Sequence, residues 1–171
     1  MKAKKSILSR SILVIFLSFL LTIFWCITPQ KAIAVEGKIN YTLSELRNED
    51  FSEQDLKGTS FAGADLRGAS FKNSDLSLTI LTKATFIKAD LTGADLTKTF
   101  ADRAFFDDAN LTNAIFTEGI LSSTTFYDAI ITGADFSDAI IDRYQTSLMC
   151  KRAEGVNPVT GVATRDSLGC R

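Results

Sequence analysis

The sequence predicts a solenoid, and three features of its spacing carry that prediction. From Phe51 to Ile141 every fifth residue is apolar, through nineteen positions without an insertion. The only weak member of this column is Ala101. A second column, from Thr59 to Ala139, runs two places before the first and holds nothing larger than threonine. The other three residues of each five are mostly Asp, Ser, Thr, Lys, Gly or Asn, which belong in water. A period of five is neither the 3.6 of a helix nor the 2 of a flat strand. A short fixed repeat held this long is the mark of stacked coils. Each unit turns one large and one small side chain inward. Interiors are filled at crystal-like density, so small inward residues mean a narrow coil with no room for a channel or ligand cavity.

Individual units are near-literal copies of one motif: Ala64-Asp65-Leu66-Arg67-Gly68, Ala89-Asp90-Leu91-Thr92-Gly93, Ala94-Asp95-Leu96-Thr97-Lys98, Ala109-Asn110-Leu111-Thr112-Asn113 and Ala134-Asp135-Phe136-Ser137-Asp138. In these the chain resembles the pentapeptide repeat family, whose motif is A-(D/N)-L-X-X. The resemblance covers residues 46–143. It implies an all-β, right-handed quadrilateral β-helix with four units per turn, about 4.5 coils and roughly 22 Å long at the usual strand spacing.

The ends divide into three further regions. Residues 1–34 read as a secretory signal peptide. Lys2, Lys4, Lys5 and Arg10 form a basic head, Ser11 to Ile27 is uncharged and apolar, and Ala32-Ile33-Ala34 is a cleavage site. The competing reading is an uncleaved anchor, since the run is almost long enough to span a bilayer. There is no Arg-Arg pair for the Tat route, and Phe24 and Trp25 before Cys26 argue against lipidation. Cleavage after Ala34 removes five of the nineteen basic residues and none of the twenty acidic ones, leaving a net charge near −6. Such a surface argues against binding nucleic acid through its phosphates and against docking on anionic lipid.

Solenoid ends need caps. Residues 35–48 are expected to form an N-terminal capping helix, started by the capping box Thr42-Leu43-Ser44-Glu45 and covering the first coil with Leu43 and Leu46. The β-helix then runs over 49–143. In 144–171 a helix is expected from Gln145 to Ala153, ended by Gly155. A turn follows at Asn157-Pro158-Val159-Thr160-Gly161, and a return through Thr164 to Leu168. Cys150 and Cys170 are the two cysteines outside the leader, and in an exported chain they read as one structural disulfide. A closed loop of about 20 residues is worth roughly 3 kcal/mol on the chain-entropy estimate. A redox-active pair is the weaker reading, without C-x-x-C. Head, repeat block and Cys-bracketed tail together resemble exported pentapeptide repeat proteins of cyanobacteria. That resemblance implies the thylakoid lumen or the periplasm.

No enzyme is expected. The chain has no histidine, which removes Ser-His and Cys-His nucleophilic sites and imidazole metal ligands. Carboxylates would need a sheltered pocket to shift their pKa values, and a filled rod offers convex faces. No catalytic residue, cofactor site or metal site is assigned. Residues 20 apart should stack on one face. The column Asp55, Asp75, Asp95, Ile115, Asp135 could bind calcium, but six or more oxygens must converge and a straight ladder diverges. Asp beside a turn bonds nearby backbone N–H groups instead. A neighbouring face carries Ser60, Ile80, Phe100, Ile120 and Ile140 at the equivalent outward place, with Phe105 on the adjoining face. A contiguous apolar patch marks an interaction site. Two plainer readings compete: the segment after Arg143 folds over it, or stacked Ile and Phe stabilise the ladder as cross-strand pairs do.

The leading expectation is therefore a non-enzymatic, exported structural or protein-interaction module, with an unidentified protein partner or self-association. Nucleic acid is not expected as a partner, nor the membrane once the leader is removed. One alternative is a DNA mimic that binds topoisomerase, as some quinolone-resistance members of the family do. The signal peptide argues against it. The other is a calcium-binding lumenal protein.

Overall fold

The structure is a computed structural model and describes residues 39–171. The leader reading lies outside the described residues. From Asn40 onward the backbone repeats one five-residue unit: two turn residues, a short extension and one residue of ladder. Each ladder residue bridges in parallel to the residue 20 further on. One column runs Asn40, Ser60, Ile80, Phe100, Ile120, Ile140, which is five consecutive coils. Four such columns make a four-sided, right-handed β-helix. Turns interrupt the chain so often that, among the described residues, only Ile120–Leu121 (β1) and Ile140–Ile141 (β2) extend to two residues, paired in parallel.

The hydrogen bonds show why a period of five can be sustained. In the unit around Phe61, its N–H donates to Ile80 O at 2.8 Å, one coil on. The Gly63 N–H donates to Thr82 O, the Ala64 N–H turns back to Phe61 O, and the Asp65 N–H donates to Ser44 O in the coil before. Most interior backbone groups are thus satisfied between coils, as burial requires. The turn demands a left-handed residue two places after each central one. That place is left-handed at every unit from Leu43 to Asp138, with φ of 53° to 70°. Glycine fits it without cost, and Gly63 and Gly68 do so here. Most units hold Lys, Asn, Asp or Glu there, and the ladder over-determines a conformation that costs each of them about 1–2 kcal/mol.

Phenylalanines stack along the interior. Phe86 and Phe106 lie 4.8 Å apart at 9° between ring planes, and Phe106 and Phe126 lie 5.4 Å apart at 6°. Edge-to-face contacts join neighbouring stacks, such as Phe106 with Phe116. Both geometries are favourable for aromatic quadrupoles. The polar members of the small column are satisfied within the core: Thr79 Oγ1 donates to Leu76 O at 2.6 Å, and Ser74 Oγ donates to Phe71 O. Ala101 is fully buried, so the weak member of the large column still points inward.

The N-terminal capping helix expected over 35–48 is not what the described residues show. Residues 40–48 follow the coil pattern, with bridges Asn40 to Ser60 and Glu45 to Asp65. Leu43 has φ of 58°, which a right-handed helix cannot hold, and is 79% exposed rather than covering the coil. The reason lies in the five-residue period itself. Tyr41 and Leu46 extend the large column by two members, and the Tyr41 ring stacks 5.0 Å from Phe61. Burying them in register outweighs a local capping box. The Thr42 hydroxyl bonds Asn40 Oδ1 and Ser60 Oγ instead.

At the other end, helix α1 spans Arg143–Met149 and the short α2 spans Thr164–Ser167. The first begins before Gln145 and turns off at Cys150, so it is shorter than the Gln145–Ala153 expectation. Asn157 forms the expected turn, accepting from the Val159 and Thr160 N–H groups. Gly155, at φ of 80°, crosses against the last coil. A side chain there would meet the Gly133 backbone nitrogen at 2.8 Å. Cys150 and Cys170 form a disulfide with 5.6 Å between Cα atoms.

Candidate interaction surface

The outward residues sort onto four faces, because each column steps by 20 residues. The motif aspartates have a local task. The side chain of Asp75 accepts from the Ser77 N–H at 2.8 Å, Asp95 from Thr97 at 2.9 Å and Asp135 from Ser137 at 2.8 Å. Asp55 does the same with Lys57. A turn two residues after the ladder position leaves that N–H pointing at the carboxylate, which explains why the motif prefers Asp or Asn there. The carboxylates of the Asp55 column are thus engaged one by one, each with its own turn. No group of three or more metal-ligating side chains converges among the described residues.

Carboxyl pKa values are lowered where donors gather. The Arg67 guanidinium is the largest influence on Asp65 and, joined by Arg47, holds that carboxyl well below the usual range despite partial burial. Burial pushes Asp135 up, but the Ser137 hydroxyl, Thr160 and the Ser137 amide outweigh it and the carboxyl is lowered. Both are structural arrangements. Neither leaves a carboxyl poised near neutral pH for acid–base chemistry.

The apolar line is placed as its spacing predicts. Ile80, Phe100, Ile120 and Ile140 bridge one to the next and stand on one face. They are 46%, 42%, 38% and 58% exposed, and Phe105, on the adjoining face, is 40% exposed. The tail does not cover them. Helix α1 and the residues after it pack against the end of the last coil, where Met149 and Gln145 are buried. Each side chain of the line is part-exposed, so each forgoes a fraction of the roughly 1.5–3 kcal/mol that burying such a side chain completely is worth. Sequence reasoning missed two neighbours. Leu78 is exposed at the corner before Ile80, and Tyr144 is exposed on α1 just past Ile140. Leu78 occupies a left-handed turn place. An apolar residue at a turn place, where polar ones prevail, is the signal by which it could have been found.

The pentapeptide repeats signature matches in eight copies, over residues 44–73, 59–98 and 104–142. Among solved structures, the chain is similar to a pentapeptide repeat protein of the Arabidopsis thaliana thylakoid lumen, at 39% identity and a TM-score of 0.57. The match covers 77% of this chain and 91% of that one. It is also similar to Rfr23 of the cyanobacterium Cyanothece 51142, at 28% identity and a TM-score of 0.50, over 57% of this chain and 64% of that one. No curated protein matches the chain. The chain belongs to the pentapeptide repeat family. Proteins of this family are in general structural or interaction modules.

Proposed function

We propose that this protein is a non-enzymatic, exported interaction module of the thylakoid lumen or periplasm. Its docking surface is the line Ile80, Phe100, Ile120 and Ile140, with Phe105 beside it. The observation that carries the reading is that four large apolar side chains stand in register and exposed on one face. The Asp55 column has Asp at four of its five equivalent places, with Ile115 the exception, so the repeat does not require apolar residues there. The disulfide suits an oxidising compartment, and the 39% identical neighbour comes from a thylakoid lumen. Phe100 sits mid-line, where aromatic anchors dominate affinity. The test is the double variant Phe100→Asp, Ile120→Asp in the protein lacking its leader. Loss of protein capture with an unchanged melting temperature supports docking. Unchanged capture, or a collapsed melt with unchanged assembly, overturns it.

A further inference from the structure

The C-terminal end of the rod is closed in two halves, and the disulfide ties down only one of them. The last coil has one central residue on each side: Leu121, Phe126, Ile131 and Phe136. Its first two sides are finished by chain that precedes Cys150. Leu121 pairs with Ile141 of β2, the Ser123 N–H donates to Asp142 Oδ2, and the Phe126 N–H donates to Gln145 Oε1 of α1. Its last two sides are finished by chain between Cys150 and Cys170. The Gly133 N–H donates to Glu154 O at 2.8 Å, and Asn157 Nδ2 donates to Gly133 O at 2.9 Å. Thr164 Oγ1 donates to Ile131 O, and the Phe136 N–H donates to Ser167 Oγ. Arg152, two places past Cys150, also reaches back to the carbonyls of Phe126 and Ala129. Little else fastens this second segment. Between the cysteines only Ala153, Asn157, Thr164 and Leu168 are buried, and two of those four are polar. The grip is a set of single hydrogen bonds, each of small net worth against water. The covalent link between residues 20 apart therefore does most to keep the far end, at Ser167, on the coil. Both cysteines are partly exposed, so a thiolate can reach them.

We infer that the Cys150–Cys170 disulfide is a redox latch: a dithiol reductant opens the last two sides of the final coil and leaves the first two shut. The step is thiol–disulfide exchange. A thiolate of the reductant attacks one cystine sulfur and forms a mixed disulfide, and the other cysteine leaves as a thiolate that takes up a proton. The second thiol of the reductant, once deprotonated, then displaces the remaining cysteine. Two electrons pass to the cystine, the reductant departs as its own disulfide, and Cys150 and Cys170 become thiols. Residues 151–169 are then tethered at Cys150 alone and regain the chain freedom that loop closure had removed. The Gly133 and Phe136 N–H groups lose their acceptors and stand open at the edge of the stack. The cysteines catalyse nothing here. The latch acts at the end of the rod and needs nothing from the apolar line.

Amide exchange followed by NMR in dithiothreitol, without denaturant, tests the latch. The bond should reduce in the folded protein while the far-UV circular dichroism of the coils is retained. Protection at Gly133 and Phe136 should fall by up to about a hundredfold, the loop-closure contribution of a link this long, and at Ser123 and Phe126 by far less. Removing the reductant in air should restore the bond and the protection together. Cys150→Ser with Cys170→Ser should show the open pattern without reductant and should not respond to it. A bond that yields to dithiothreitol only in denaturant would overturn the latch, as would reduced protein in which Gly133 and Phe136 stay protected. Equal loss at all four amides would show a cap that melts as one unit, and would overturn it too.

Discussion

In the coils, the Phe106 N–H donates to the backbone oxygen of Thr125, one turn on. One coil later the equivalent group has no coil beneath it, and the Phe126 N–H donates to the side-chain oxygen of Gln145. The same exchange recurs around the last turn. The Phe116 N–H finds Asp135 O, but the Phe136 N–H finds Ser167 Oγ at 3.0 Å. The Ser123 N–H donates to Asp142 Oδ2. Arg152 reaches under the coil to the carbonyls of Ala129 and Phe126, and Asn157 Nδ2 to that of Gly133. The coils are held by backbone that any sequence of the right pattern supplies. The cap is held by particular side chains standing in for a coil that is not there. Substitutions in the two regions should therefore fail differently: the coil core through lost packing, the cap through unpaired buried backbone.

The largest effect separating the two regions is expected in the coils. Phe106→Ala removes a ring stacked on both sides in an interior with little room to collapse, and should cost about 3–5 kcal/mol. Calorimetry checks it, and a melt within a degree or two of wild type would mean the interior is not packed as described. Reducing the Cys150–Cys170 bond comes next, at about 3 kcal/mol. Here the location matters more than the size. Hydrogen exchange should rise at α1 and the residues after it, and change little in the coils near Phe61, because coils hold one another by nearest-neighbour contacts. Uniformly faster exchange along the rod would erase the distinction between coil and cap.

A smaller effect should have the opposite sign. Lys88 sits at a left-handed turn place, φ 59°, with its side chain exposed. Lys88→Gly should stabilise by about 1 kcal/mol, the relief of that conformation less the extra freedom glycine brings to the unfolded chain. Destabilisation in urea titration would show that the side chain contributes there. The least effect is expected from pH near neutrality. Asp65 and Asp135 have lowered carboxyl pKa values in the fold. Their contribution is present above the unfolded value of about 3.9 and is lost as pH falls through the folded values. Without histidine, melting temperature should be flat from about pH 5 to 8 and fall below about pH 4. A step near pH 6.5 would contradict this.

The repeat was legible because period carries its own physics. A large residue every fifth place, a small one two before it and polar residues between allow only a coil that buries both columns. The same column, followed back to Leu46 and Tyr41, would have shown that the coil begins by Asn40. The capping-box reading gave a local motif precedence over a long-range register. The apolar line was legible too, since 20-residue stacking follows once four units make a turn. The cap was not. Gln145, Arg152, Asn157 and Ser167 have no period, and their partners in the coil lie 19 to 44 residues away.

The sequence by itself determined the coil, its two inward columns, the turn aspartates, the exposed face and the pairing of its two late cysteines. The first four follow from spacing alone, and the pairing from there being just two cysteines after the repeat block. The tertiary structure decided that residues 40–48 are already coil, which side chains replace the missing last turn, and that the tail closes the end of the rod instead of lying over Phe100. Those outcomes depend on which backbone groups are left without partners once the coils have formed, and that is a property of the end of the stack rather than of any unit in it.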